Sequence, residues 1–132
     1  MGGMKSVGAA ALVLLFGGSS AALGQQIELP NEMIARCYAT HVLQGERVRP
    51  GTRSALIADE NASFWRSQAA SRIEGEAQLD AFLSTTSSQA RSEYSAMPGQ
   101  GLMQIVFDAS TCQTLRADVE PGYDPVQQNM GQ

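Results

Sequence analysis

The stretch PNEMIARCYATHVLQ, residues 30–44, decides the fold class of this chain. Ile34, Cys37 and His41, together with positions 38 and 42, recur at the spacing of one face of an α-helix. Pro30 suits the first turn of a helix. Gly45 offers a stop after the last turn. We therefore predict a first helix over residues 30–44.

Two further segments follow with helical patterns. Thr52 is a suitable N-cap after a polar connection, which predicts a second helix over residues 52–69. The third segment, residues 75–95, carries the longest apolar stripe in the chain. Its centre, residues 84–88, is a run of Ser and Thr with poor helix propensity, so a break into two short helices stays open.

The fourth segment, residues 102–117, has two interpretations. Its apolar residues fit a helix buried on more than one side, whereas residues 102–107 also fit a strand rich in β-forming residues. We favour the helix because no second strand is available to pair with it. Residues 118–132 are rich in Pro, Gly and Gln, which predicts a flexible C-terminal tail.

The amino terminus has the layout of a secretory signal peptide. Lys5 precedes a short apolar run over residues 7–16, and small residues at positions 22 and 24 allow cleavage before Gln25. The run is about half the length that a membrane span needs, so we expect no stable membrane anchor. Residues 1–24 are then a signal peptide and residues 25–117 a helical domain, in an all-α, small antiparallel bundle of about four helices.

Composition narrows the function classes. The chain has 132 residues and a net charge of −4, and Lys5 is its only lysine. After removal of the signal peptide, the chain has 8 Arg and 13 acidic residues. A negative chain has no electrostatic attraction for nucleic acid or anionic lipid. A domain of this size also excludes a two-lobed dinucleotide enzyme.

The two cysteines, Cys37 and Cys112, predict one disulfide in an exported protein. A metal site is disfavoured because neither a CxxC pair nor a second histidine is present. We expect no cofactor. The bridge would join the first helix to the fourth, as small exported bundles do to compensate for a thin core.

Few residues are candidates for chemistry. His41 is the only histidine and hence the first candidate acid or base, but its place on the apolar face also fits a packed histidine. Glu60, between apolar neighbours, is either a desolvated carboxylate or a partner of a nearby arginine. No nucleophile elbow or paired metal ligands accompany them, so we expect a protein that is not an enzyme.

A binding surface is the remaining candidate site. Arg47, Arg49 and Arg53 cluster around the first connection and, with Trp65, could grip an acidic partner. A solvated loop and a core tryptophan are the alternatives. In size, helix content, signal peptide and cysteine number, the chain resembles the small periplasmic acid-stress chaperones. The resemblance is one of architecture only, since no motif is shared, and it implies no functional residues.

These observations give three expectations for function. The first is a periplasmic or secreted protein that binds another protein or an envelope component. The second is an acid-stress periplasmic chaperone, because protonation of 13 carboxylates would leave the arginine charges to repel one another. The third is a small enzyme that uses His41.

Overall fold

The computed structural model describes residues 28–130 of the chain. Within this range it contains no strand and five helices: α1 (Asn31–Glu46), α2 (Arg53–Ala70), α3 (Glu76–Ser95), α4 (Gly101–Val119) and α5 (Pro125–Asn129). The all-helical class is confirmed. The predicted signal peptide, residues 1–24, lies outside the described residues. No helix in the described range is long and apolar enough to cross a membrane.

Helix α1 is the centre of the molecule, and α2, α3 and α4 all pack against it. One core cluster surrounds its first half and contains Trp65 of α2, Leu79 of α3 and Cys112 of α4. A second cluster surrounds its second half and contains Ala90 and Tyr94 of α3 with Ile105 of α4. The early part of α1 therefore meets the late parts of α2 and α4, which run antiparallel to it, whereas α3 runs in the same sense as α1.

The first connection follows from local sequence. The Thr52 side chain accepts a hydrogen bond from the Ala55 amide at 3.2 Å, which caps α2 as its sequence predicts. Gly45 does not end α1, which continues to Glu46. A Cβ at Gly45 would lie 3.4 Å from that of Ala58, so the missing side chain lets α1 and α2 approach closely instead.

The two open alternatives are settled in favour of continuous helices. Helix α3 runs through residues 84–88 without a break, because Leu83 and Ala90 are buried on either side of that segment. Residues 102–107 belong to helix α4, whose buried positions Ile105, Ala109 and Cys112 recur every three to four residues.

The disulfide prediction is confirmed. Cys37 of α1 and Cys112 of α4 are bonded, with Cα atoms 5.6 Å apart and a sequence separation of 75 residues. Both cysteines are buried in the first core cluster. The central helix is thus tied covalently to the fourth.

The turn between α3 and α4 requires a glycine. A Cβ at Gly101 would lie 2.5 Å from the carbonyl oxygen of Tyr94, well inside van der Waals contact. Because that oxygen belongs to the backbone, it cannot move aside as a flexible side chain would. Gly101 therefore allows the close return that starts α4 beside the end of α3.

The predicted flexible tail, residues 118–132, is corrected by the structure over its described part. Residues 118 and 119 complete α4, and α5 begins where the Asp124 side chain accepts a hydrogen bond from the Val126 amide at 3.0 Å. The side chains of Tyr123 and Gln128 then bond to α2 and α4. The composition misled because this segment is held by polar contacts rather than by burial of apolar residues.

Candidate functional site

The binding surface predicted from Arg47, Arg49, Arg53 and Trp65 does not form as one surface. The three arginines are exposed at the first connection. Trp65 is fully buried, about 18 Å further along α2 than Arg53, where it meets Phe64 edge-on at 5.0 Å. Including Trp65 in the surface was wrong, because its ring fills the first core cluster.

Two of the arginines serve the fold. The Arg47 guanidinium donates to the Leu43 carbonyl oxygen at 3.3 Å and so satisfies the end of α1. Arg53 donates to the Gln128 carbonyl oxygen at 3.1 Å and holds the C-terminal segment. These contacts account for Arg47 and Arg53 without a ligand.

His41 is a buried residue with 1% of its surface exposed. Its Nδ1 lies 3.3 Å from Gln44 Oε1 and donates to it, while Nε2 is buried without a hydrogen-bond partner in the described residues. Burial lowers the pKa of His41 to about 4, and the Arg116 charge acts in the same direction, against the Gln44 bond and Glu60. The imidazole is therefore neutral at pH 7 and has no substrate-accessible face.

Glu60 is the partner of an arginine, the second of its two sequence interpretations. The Arg116 guanidinium donates to both of its carboxylate oxygens, at 2.6 and 2.8 Å. That bond, with the arginine charge and a hydrogen bond from Gln128, holds the pKa of Glu60 below its usual range despite partial burial. A carboxylate with a lowered pKa is a poor proton donor at neutral pH, which argues against general acid chemistry here.

Arg116 organises the largest polar cluster of the described residues. Beyond Glu60, its guanidinium donates to Asn61 Oδ1 at 2.9 Å and to Glu120 Oε1 at 2.7 Å. The rings of Phe64 and Tyr123 lie on it, with centroids 4.4 and 4.1 Å away. Four of the five guanidinium hydrogens are used, so Arg116 has little left to offer a ligand.

The C-terminal segment closes over this cluster through one side chain. Gln128 Oε1 accepts from Asn61, Gln113 and Tyr123, at 3.1, 2.9 and 2.5 Å. Gln128 Nε2 donates to Glu60 at 2.7 Å. Helix α5 is therefore fastened to α2 and α4 by a saturated hydrogen-bond network, which fits a structural role.

An open groove lies next to the disulfide. It has a volume of about 590 Å³ and runs between α1, α3 and α4. Cys37, Thr40 and Cys112 lie at its buried floor, and Glu32 and Asp108 are among its lining residues. The groove exists because α3 and α4 each pack on α1 while contacting each other much less.

The outer side of α4 carries an exposed apolar surface, which we name the α4 apolar face. It consists of Leu102, Met103, Val106 and Phe107, of which Met103 and Phe107 are 73% and 66% exposed. These positions were expected to be buried, because the sequence pattern predicted a helix covered on more than one side. No residue between 28 and 130 covers this side of α4.

No group of three or more metal-binding side chains is present within residues 28–130. Comparisons with protein-family models, curated proteins and solved structures found no match for this chain. The geometry of the described residues is therefore the basis for function. It provides the saturated Arg116 cluster, the groove between α1, α3 and α4, and the α4 apolar face.

Proposed function

We propose that this chain is an exported, non-catalytic protein that binds another protein, or another envelope component, through the α4 apolar face. The uncovered face is the observation that carries the proposal. A cluster of large, exposed apolar side chains on one side of a helix is typical of an interaction surface. Met and Phe are among the residues enriched in such interfaces, and the face contains no charged residue to desolvate.

Export is supported by the amino-terminal pattern and by the disulfide. Residues 1–24 have the order of a signal peptide, with one lysine, an apolar run and small residues at the cleavage point. Disulfides persist in oxidising compartments such as the periplasm or the cell exterior. A periplasmic or secreted location accounts for both features.

Site-specific photocrosslinking in cells tests the binding proposal. A photoreactive residue at Val106 should give a discrete adduct at native expression, and one at the exposed Ser88 of α3 should not. Phe107→Ser should abolish the adduct at Val106 while leaving helix content unchanged. Absence of an adduct at Val106, or an adduct insensitive to Phe107→Ser, would overturn the proposal. The mass of the adduct distinguishes a partner protein from a second copy.

A second candidate function is acid-activated chaperoning, and buried His41 favours it. Acid would charge an imidazole that lies near Arg116, and it would neutralise Glu60, a partner of that arginine. The helices would then separate and expose apolar surface. The test is suppression of client aggregation at about pH 3, where carboxylates are protonated. We expect suppression at that pH and none at pH 7; failure at acid pH would reject this function.

A further inference from the structure

The groove between α1, α3 and α4 is elongated rather than round. Its lining extends along α1 from Pro30 to Thr40, about 15 Å of helix, and along α4 from Asp108 to Leu115. Its floor is apolar, and Met33 at its side is 39% exposed. An occupant that matches this shape is a segment of about ten helical residues that presents one apolar stripe.

The charges that line the groove are unbalanced. Arg36 is the only cation among the lining residues, and its guanidinium is paired with Glu93 at 2.8 Å and lies over the Tyr94 ring at 5.2 Å. Glu32 and Asp108 form no ion pair with any residue of the described range. Asp108 instead accepts hydrogen bonds from Tyr94 and Gln104, at 2.6 and 3.0 Å. The lining therefore carries two carboxylates that have no cationic partner among the described residues.

We propose that this groove binds a cationic amphipathic helical segment of a partner protein. The apolar stripe of the segment packs over Cys37, Cys112 and Leu115, and its Lys or Arg side chains pair with Glu32 and Asp108. Electrostatic complementarity of this kind selects the partner and speeds encounter. A segment with acidic side chains in the same places would meet like charge, so it is rejected.

The groove is a second site, separate from the α4 apolar face. At 100° per residue, Asp108, Thr111 and Leu115 lie on one flank of the buried line of α4 that includes Ile105 and Cys112. Leu102 and Val106 of the α4 apolar face lie on the opposite flank of that line, whereas Phe107 lies one turn before Thr111 and borders the groove side. Val106 is therefore the position of the α4 apolar face that separates the two sites in a test.

Binding of designed peptides tests the proposal directly. The probe is a fluorescein-labelled helical peptide with Leu at i, i+3, i+4 and i+7 and Lys elsewhere, and its match has Glu for Lys. Fluorescence anisotropy with the disulfide-bonded protein at pH 7 should show the Lys peptide binding about tenfold or more tightly than the Glu peptide. Added salt should weaken the Lys peptide, because rim charges are screened.

Point variants test whether the peptide binds in the groove. Glu32→Gln and Asp108→Asn should each weaken the Lys peptide about two- to fivefold, as for partly exposed ion pairs. Thr111→Trp, which fills the groove from the exposed side of α4, should weaken it about tenfold or more. Asp118→Asn, an exposed carboxylate on the same helix, is the control and should have no effect.

Several outcomes would overturn the proposal. Equal affinity for the Lys and Glu peptides would remove the role of charge, and unchanged binding by Thr111→Trp would remove the groove. Loss of binding in Val106→Ser would move the peptide to the α4 apolar face. A dimer that Thr111→Trp converts to a monomer would show that a second copy occupies the groove. Retained peptide binding by Val106→Ser supports a groove site separate from the α4 apolar face.

Discussion

The Arg116 guanidinium grips the Glu60 carboxylate with two hydrogen bonds, at 2.6 and 2.8 Å, across 56 residues of sequence. The arginine is 6% exposed and the glutamate 53% exposed, so the pair joins the interior to the surface. Planar two-point pairing of this kind is specific to arginine. It fixes α4 against α2 at the edge of the first core cluster, to which Trp65 of α2 and Cys112 of α4 both belong.

Arg116→Lys should therefore destabilise the protein although it keeps the charge. Lysine supplies no planar fork for Glu60 and does not fill the space between the rings of Phe64 and Tyr123. We expect the free energy of unfolding in urea to fall by about 2 kcal/mol. Arg66→Lys is the matched control, because Arg66 pairs with Glu76 and Asp80 at the surface. It should change stability by less than about 0.5 kcal/mol.

Stability should fall between pH 6.5 and pH 4 because of His41. Unfolded chains bind a proton at His41 near pH 6.5, whereas the folded protein does so only near pH 4. The unfolded state therefore binds more protons in this window, which lowers stability as the pH falls. The difference amounts to about 3 kcal/mol at the acid end of the window.

The variant His41→Gln isolates this effect. Glutamine does not titrate, so its urea midpoint should change much less than that of the native protein between pH 7 and pH 4. Glu46 and Glu60, whose pKa values are lowered by Arg91 and Arg116, act in the same direction at lower pH, as each becomes protonated. Identical pH slopes for His41→Gln and the native protein would contradict the assignment to His41.

Tyr94→Phe should reveal a buried hydrogen-bond chain. The Tyr94 hydroxyl donates to Asp108 at 2.6 Å and lies 3.3 Å from the Thr40 hydroxyl, which is fully buried. Phenylalanine leaves the Thr40 hydroxyl without this partner, so unfolding should need about 1 to 2 kcal/mol less. Thermal denaturation followed by circular dichroism measures the change. Tyr38→Phe, at a half-buried position of α1, is a control that should cost less.

Replacing both Cys37 and Cys112 by alanine should lower the free energy of unfolding by about 4 kcal/mol. The reason is that the bridge restricts the unfolded chain across a separation of 75 residues. Urea denaturation of this variant and of the native protein with reductant should give closely similar midpoints. A loss below about 1 kcal/mol would show that the core alone determines stability.

Periodicity predicted the helices because α2, α3 and α4 each bury one side against the central helix α1. The side of α1 that contains Ile34, Cys37 and His41 could be read from spacing alone, and the disulfide from the count of cysteines. The ends were less accurate: α1 passes through Gly45 and ends at Glu46, two residues beyond the predicted end.

The candidate sites could not be predicted from spacing, for two physical reasons. The sequence shows that Val106 and Phe107 are apolar, but their exposure depends on where the other helices lie. Nothing in the described range covers them. The Arg116 cluster combines Arg116 of α4 with Glu60 and Asn61 of α2 and with Gln128 of α5, so it depends on tertiary contacts with no local pattern. Because the C-terminal segment is rich in polar residues, its composition predicted a flexible tail, although Gln128 in fact bonds to α2 and α4.

The bond between Cys37 and Cys112 also determines how the protein responds to a protease. The connections between α1 and α2, α2 and α3, and α3 and α4 all lie between these two cysteines. A single cut in any of them leaves two fragments that remain covalently attached. On a denaturing gel such a nicked molecule would migrate as one species without reductant and as two with it, whereas a fragment cut off after Cys112 would separate under both conditions.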